Sequence, residues 1–141
     1  MKKFNSILLI DDDKATNEFH KIIIGLANVT DTVHAVQSGQ EGLDYLTSKG
    51  CYNSKENSYP QPDLIFLDIN MPAMNGFEFI EEYDKISDDQ KGKHLIIMLT
   101  SSLNPDDKNL ANKTTHIKDF LSKPLTKEVV LNLRDKYVSE L

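Results

Sequence analysis

The chain has 141 residues, 39% hydrophobic and 27% charged, which suits one compact domain with a single core and is too few for two. Sixteen basic against 22 acidic residues leave a formal charge of -6, and no block of Lys and Arg offers a patch for a nucleic-acid backbone. The single Cys51 cannot close an internal disulfide, the longest apolar runs are about five residues against the roughly 20 that cross a bilayer, and the Met1–Asn5 start lacks a secretory pattern, so a cytoplasmic protein is expected.

Ser6–Ile10 is a short apolar run closed by three aspartates, the pattern of a strand buried on both faces. Lys14–Asn28 carries Phe19, Ile22, Ile23 and Leu26 at i, i+3, i+4 and i+7, which predicts a helix with this stripe toward the core. Asp31–Val36 is a weaker strand. Ser38-Gly39-Gln40-Glu41 then reads as a capping box opening a helix with Leu43 and Leu46 on one face. Ser48–Pro62 is polar, holds two prolines and reads as a long solvated loop.

Asp63–Leu67 is the next buried strand, and it delivers Asp68 at its end. Asn75–Ile86, with Phe79, Ile80 and Tyr83, reads as a helix. Leu95–Leu99 is a strand ending at Thr100-Ser101-Ser102. Asn104-Pro105-Asp106-Asp107 combines a cap residue, a proline at the first helical position and acids in the first turn. Ile117–Leu121 is the last strand, before Lys123-Pro124. Thr126 then caps a final helix with Val130, Leu133 and Tyr137 along one face. Five strands alternating with five helices argue for an α/β domain over residues 1–141, a parallel sheet with helices on both faces and no appended output domain.

In open parallel sheets ligands bind beyond the carboxyl ends of the strands. Here those ends carry Asp11-Asp12-Asp13, Asp68, Thr100 and, after the last strand, Lys123. Carboxylates gathered at one edge repel unless protonated or neutralised by a cation. Oxygen-only ligands suit a hard ion such as Mg2+. A metal, an ammonium and a hydroxyl are also the groups that hold the oxygens of a phosphoryl group in transfer, and a carboxylate can receive that group as an acyl phosphate.

Leu8-Leu9-Ile10-Asp11-Asp12-Asp13, Leu67-Asp68-Ile69-Asn70-Met71-Pro72-Ala73-Met74-Asn75-Gly76, Leu99-Thr100-Ser101 and Ser122-Lys123-Pro124 together resemble the receiver domain of two-component response regulators, from about Ser6 to about Tyr137. The resemblance implies a doubly wound, flavodoxin-like five-stranded parallel sheet of order 2-1-3-4-5 with five flanking helices. It implies a non-enzymatic response regulator in a phosphorelay, which takes a phosphoryl group from a phosphohistidine on a sensor histidine kinase or phosphotransfer protein and promotes its own dephosphorylation. Asp68 resembles the phosphoacceptor. Asp11 and Asp12 resemble the acid pair that organises Mg2+, with Asp12 favoured as a direct ligand, and Asn70 offers its backbone carbonyl. Thr100 resembles the switch hydroxyl, Lys123 the phosphate-binding lysine and Phe120 the switch aromatic, and the Lys123–Pro124 bond is expected to be cis. Ser101 departs from the small Ala or Gly frequent at its position. The implied output is an altered protein-interaction face toward a downstream target, in a monomer or a weak phosphorylation-dependent dimer.

Plainer readings stand beside these. Asp13 reads as a helix cap, Phe120 has a reading as ordinary core, and Gly76 meets a backbone need at the start of the third helix. A phosphohydrolase of the haloacid dehalogenase type is the rival function, with Asp11-x-Asp13, Thr100 and Lys123 as its motifs. Against it, no acidic pair follows Lys123 at a strand end, Ala15 replaces the expected Thr or Val, and Asp68 is left without a role. A calcium loop at Asp11-x-Asp13 fails because Thr16 replaces the required Gly and Ile22 the required Glu. A receiver that binds a partner without phosphorylation is the third possibility.

Overall fold

The computed structural model describes residues 3–49, 61–86, 94–101 and 104–138. Its strands are β1 (Ile7–Ile10), β2 (Val33–Val36), β3 (Leu64–Asp68), β4 (Leu95–Thr100) and β5 (Ile117–Ser122). Its helices are α1 (Lys14–Ala27), α2 (Gly39–Thr47), α3 (Gly76–Asp84), α4 (Pro105–Lys113) and α5 (Lys127–Tyr137). The strands form one sheet of order β2-β1-β3-β4-β5, and every pairing is parallel. The chain reverses its direction of travel across the sheet between β1 and β3, which opens the crevice where such folds bind ligands.

Alternate residues of the central strands feed two cores. Ile7, Leu9, Leu64, Phe66, Leu95 and Ile97 pack with Ile24 and Ala27 of α1 and Val130 and Leu133 of α5. Leu8, Ile10, Ile65, Leu67, Ile96 and Met98 pack with Leu46 of α2, Phe79 and Ile80 of α3 and Ala111 of α4. The period of two along each strand thus fills both faces, which is why these segments read as unbroken apolar runs. Fully burying such a side chain contributes about 1.5–3 kcal/mol before the cost of ordering it.

Local chemistry sets the helix starts. Asp13 caps α1, accepting from the Ala15 N–H at 3.1 Å and the Thr16 hydroxyl at 2.8 Å. Asn104 precedes Pro105 at α4, and Thr126 Oγ1 accepts from the Val129 N–H at α5. At α2, Ser38 Oγ accepts from the Glu41 N–H. The reciprocal capping box is found at Asn75 and Glu78, where each side chain accepts from the other residue's N–H.

The expected apolar stripe of α1 is corrected. Phe19, Ile22 and Leu26 are 45%, 60% and 63% exposed, while Ile23 packs only in part against the core. The helix instead buries Asn17, His20, Ile24 and Ala27. That face combines the apolar Ile24 and Ala27 with two polar side chains that hydrogen-bond backbone at the carboxyl edge of the sheet, Asn17 to Asp11 and Val36 and His20 to Leu125. The Ser48–Pro62 loop and Ser102 lie largely outside the described residues.

Candidate functional site

The carboxyl ends of β1, β3 and β4 and the turn after β5 converge on one edge. Asp11 and Asp68 are 4% and 5% exposed, whereas Asp12 is exposed. A carboxylate oxygen from each of Asp11, Asp12 and Asp68 lies within 4.8 Å of the others. Lys123 reaches between two of them, its Nζ 2.6 Å from Asp11 Oδ2 and 3.0 Å from Asp68 Oδ1. The other oxygen of Asp11 accepts from the Asp13 N–H at 2.9 Å. Asp11 is thereby fixed from both sides, and Asp13 is engaged as a cap and not as a member of the cluster.

Burial pushes the Asp68 carboxyl above its ordinary value, and the Lys123 hydrogen bond works against that shift. Burial alone would lower the Lys123 ammonium, but its contacts with Asp11 and Asp68 hold it above the usual lysine range. Lys123 is therefore charged at neutral pH, and three carboxylates face one ammonium. That imbalance, with an all-oxygen donor set, fits a hard divalent cation.

Backbone geometry positions each side chain. The Asp68–Leu99 register and the Ile69 N–H bond to the Leu99 carbonyl tie the end of β3 to β4. Asn70 follows in the exposed turn, and Ala73 there adopts a left-handed φ of 67°. Thr100 is fully buried at the end of β4, level with Ser122, and its carbonyl accepts the Lys123 N–H at 2.7 Å. The Lys123–Pro124 peptide is cis. Phe120 lies half-buried on the edge strand, packed in part against the core and lining a cavity of about 300 Å³ with Asn104, Lys108 and Ser122.

The structure therefore brings Asp11, Asp12, Asp68 and Lys123 into direct proximity and sets Thr100 on the adjoining strand end. Two residues escaped sequence reasoning. Asn17 Nδ2 donates to the carbonyls of Asp11 and Val36, and His20 Nε2 accepts the Leu125 N–H at 3.2 Å. Their signal was a spacing, since Asn17, His20, Ile24 and Ala27 recur along one helical face although two of them are polar.

A doubly wound domain with an acidic pocket, a buried strand-end carboxylate and a bridging lysine at its switch point is the class that fold and site define. Residues 7–134 match the response regulator receiver domain family, and the chain belongs to it. It is similar to response regulator Rcp1 of Synechocystis sp., 30% identical over 83% of this chain and 75% of that protein. Of several other curated regulators that it matches, it spans only 40% to 55% of the length. Among solved structures, a two-component response regulator from Cytophaga hutchinsonii is 32% identical with a TM-score of 0.85, over 99% of this chain and 100% of that one. The phosphorylated cyanobacterial phytochrome response regulator RcpA is 25% identical with a TM-score of 0.78, over 97% and 96%. Among the described residues, no helix is long and apolar enough to cross a membrane.

Proposed function

We propose that this receiver accepts a phosphoryl group on Asp68 from a phosphohistidine of a sensor kinase or phosphotransfer protein, in a Mg2+-dependent reaction. The observation that carries this reading is the Lys123 ammonium between the buried carboxylates of Asp11 and Asp68, beside a third at Asp12. An Asp68 oxygen forms the new bond to phosphorus while the bond from phosphorus to the donor imidazole breaks. The imidazole leaves with the electron pair and takes a proton from solvent. Asp11, Asp12, Asp68 and the Asn70 carbonyl would hold Mg2+, which supplies neutralising charge at the phosphoryl oxygens. Lys123, already beside Asp68, meets charge developing in transfer, and the Thr100 hydroxyl receives a remaining oxygen as it closes on the phosphoryl group.

The reaction makes the chain a phosphoacceptor that promotes its own phosphoryl transfer and hydrolysis. Phosphorylation then shifts a two-state equilibrium in which Thr100 and Lys123 close on the new dianion. Phe120 repacks beside the cavity it lines, and the face of α4, β5 and α5 changes its affinity for a downstream protein. A phosphorylated relative of similar fold supports this assignment. The haloacid dehalogenase reading is disfavoured because Asp13, its second motif carboxylate, is committed to capping α1.

The test is to incubate the chain with Mg2+ and acetyl phosphate and follow intact mass. One phosphoryl increment is expected, absent with a chelator and absent in Asp68→Asn. An unmodified chain, or an increment retained in Asp68→Asn, refutes the proposal. Sustained turnover that needs Asp11 but not Asp68 would favour a phosphohydrolase.

A further inference from the structure

Lys123 stands in a short turn between β5 and α5, and its reach to Asp11 and Asp68 depends on how that turn is held. Pro124 has no N–H, so ahead of the cap residue Thr126 the turn offers two backbone donors, those of Lys123 and Leu125. The first, of Lys123, goes to the Thr100 carbonyl at 2.7 Å. The second, of Leu125, goes to no strand or helix carbonyl. It is donated to Nε2 of His20, 105 residues earlier in the chain.

His20 is 1% exposed and Leu125 2%, so water does not substitute at this contact. The site lies in the core formed by Ile24, Ala27, Val130 and Leu133, where an aliphatic side chain would fill space without desolvating a polar ring. Removing the acceptor, however, would orphan a buried N–H, which costs more than an ordinary hydrogen bond contributes. Burial, then the nearby Lys123 ammonium, pull the imidazole below its ordinary value against the opposing pull of Asp11, so the ring is neutral at neutral pH, and Nε2 accepts the Leu125 N–H when Nδ1 carries the proton. On the same face of α1, one turn earlier, Asn17 holds the Asp11 carbonyl. One helix thus anchors the backbones of both partners of the 2.6 Å ion pair, Asp11 directly and Lys123 through the turn.

We propose that His20 is a positioning residue for Lys123, its Nε2 fixing the Leu125 amide and with it the turn that aims the ammonium at Asp11 and Asp68. This rests on the phosphoacceptor reading only for its consequence for rate; the anchoring itself can be measured without a phosphodonor.

Three proteins decide it: wild type, His20→Leu and His20→Gln, whose amide oxygen can replace Nε2 as acceptor. In His20→Leu, hydrogen exchange at the Leu125 amide should accelerate at least about tenfold and the Lys123 ammonium resonance should shift or broaden. Phosphorylation from acetyl phosphate should slow by roughly tenfold to a hundredfold, the range for losing a group that orients a reacting one. His20→Gln should restore all three. Wild-type exchange and rate in His20→Leu overturn the proposal. Equal losses in His20→Leu and His20→Gln also overturn it, because ring volume and not the acceptor would then matter. If His20→Leu does not fold, nitrogen NMR of wild type decides: an Nδ1–H tautomer with a protected Leu125 amide supports the proposal, and an Nε2–H tautomer rejects it. A wild-type chain that refuses phosphoryl refutes the proposed function, while the exchange and ammonium readouts still judge the anchor.

Discussion

At Gly76 the start of α3 runs so close to the end of β3 that an added Cβ would lie 2.8 Å from the Asp68 carbonyl oxygen and 3.1 Å from the Ile69 Cα. Both are backbone atoms, so no side chain can swing aside to make room. The Gly76 N–H also donates to the Ile69 carbonyl at 2.8 Å, which fastens the turn behind Asp68. Gly76→Ala is therefore expected to lower unfolding free energy by about 1–3 kcal/mol, as forced overpacking does, and to slow phosphorylation of Asp68. Urea denaturation and a mass time course read the two effects. An unchanged midpoint together with an unchanged rate would contradict the close approach. Residues of this kind were legible in sequence because their neighbours announced them: Asp68 followed an unbroken apolar run, and Gly76 followed the Asn-Met-Pro turn.

Elements were readable to the extent that one force dominated them. β1, β3 and β4 are buried on both faces, and their apolar runs gave both type and place. The starts of α4 and α5 were legible from their cap residues. The orientation of α1 was not, because its buried face is chosen by the bonds of Asn17 and His20, whose partners lie far along the chain. A hydropathy stripe cannot report such a partner. The cluster that joins α3 to β4 and β5 was likewise invisible, since its histidines show no spacing in sequence. There the Tyr83 hydroxyl lies 3.0 Å from His94 Nδ1, and His116 Nε2 lies 2.8 Å from Asp84 Oδ1. Burial pushes the Tyr83 phenol up to about 12, so it stays protonated at neutral pH, and burial lowers His94 to about 4. The unfolded chain, with an ordinary histidine value near 6.5, then binds the proton more readily than the folded one. His94 thus contributes stability that is fully present above about pH 6.5 and is lost as pH falls toward about 4, by at most about 1.4 kcal/mol per pH unit. His94→Gln should flatten this part of the acid dependence when urea midpoints at about pH 7 and about pH 5 are compared. Parallel pH dependence in the two proteins would show that His94 titrates freely.

Across the whole molecule, three apolar side chains on the outer surface of α1 sit on a protein whose formal charge is -6 and whose isoelectric point is about 5.1. At neutral pH like charge keeps separate chains apart; close to pH 5.1 that repulsion vanishes and the stripe of Phe19, Ile22 and Leu26 is left to act. The feature that sequence alone turned inward then governs colloidal behaviour, a property unrelated to signalling. Ile22→Gln combined with Leu26→Gln leaves every charge in place, so the isoelectric point holds while the stripe is broken. Precipitation curves in polyethylene glycol near that pH should move to higher protein concentration, with melting temperature unchanged because exposed substitutions alter stability little. A falling melting temperature would instead mean that the stripe is packed. The rotation imposed by two buried hydrogen-bonding groups on one helix would thus be felt in how this protein is stored and concentrated, at a distance from any phosphoryl group.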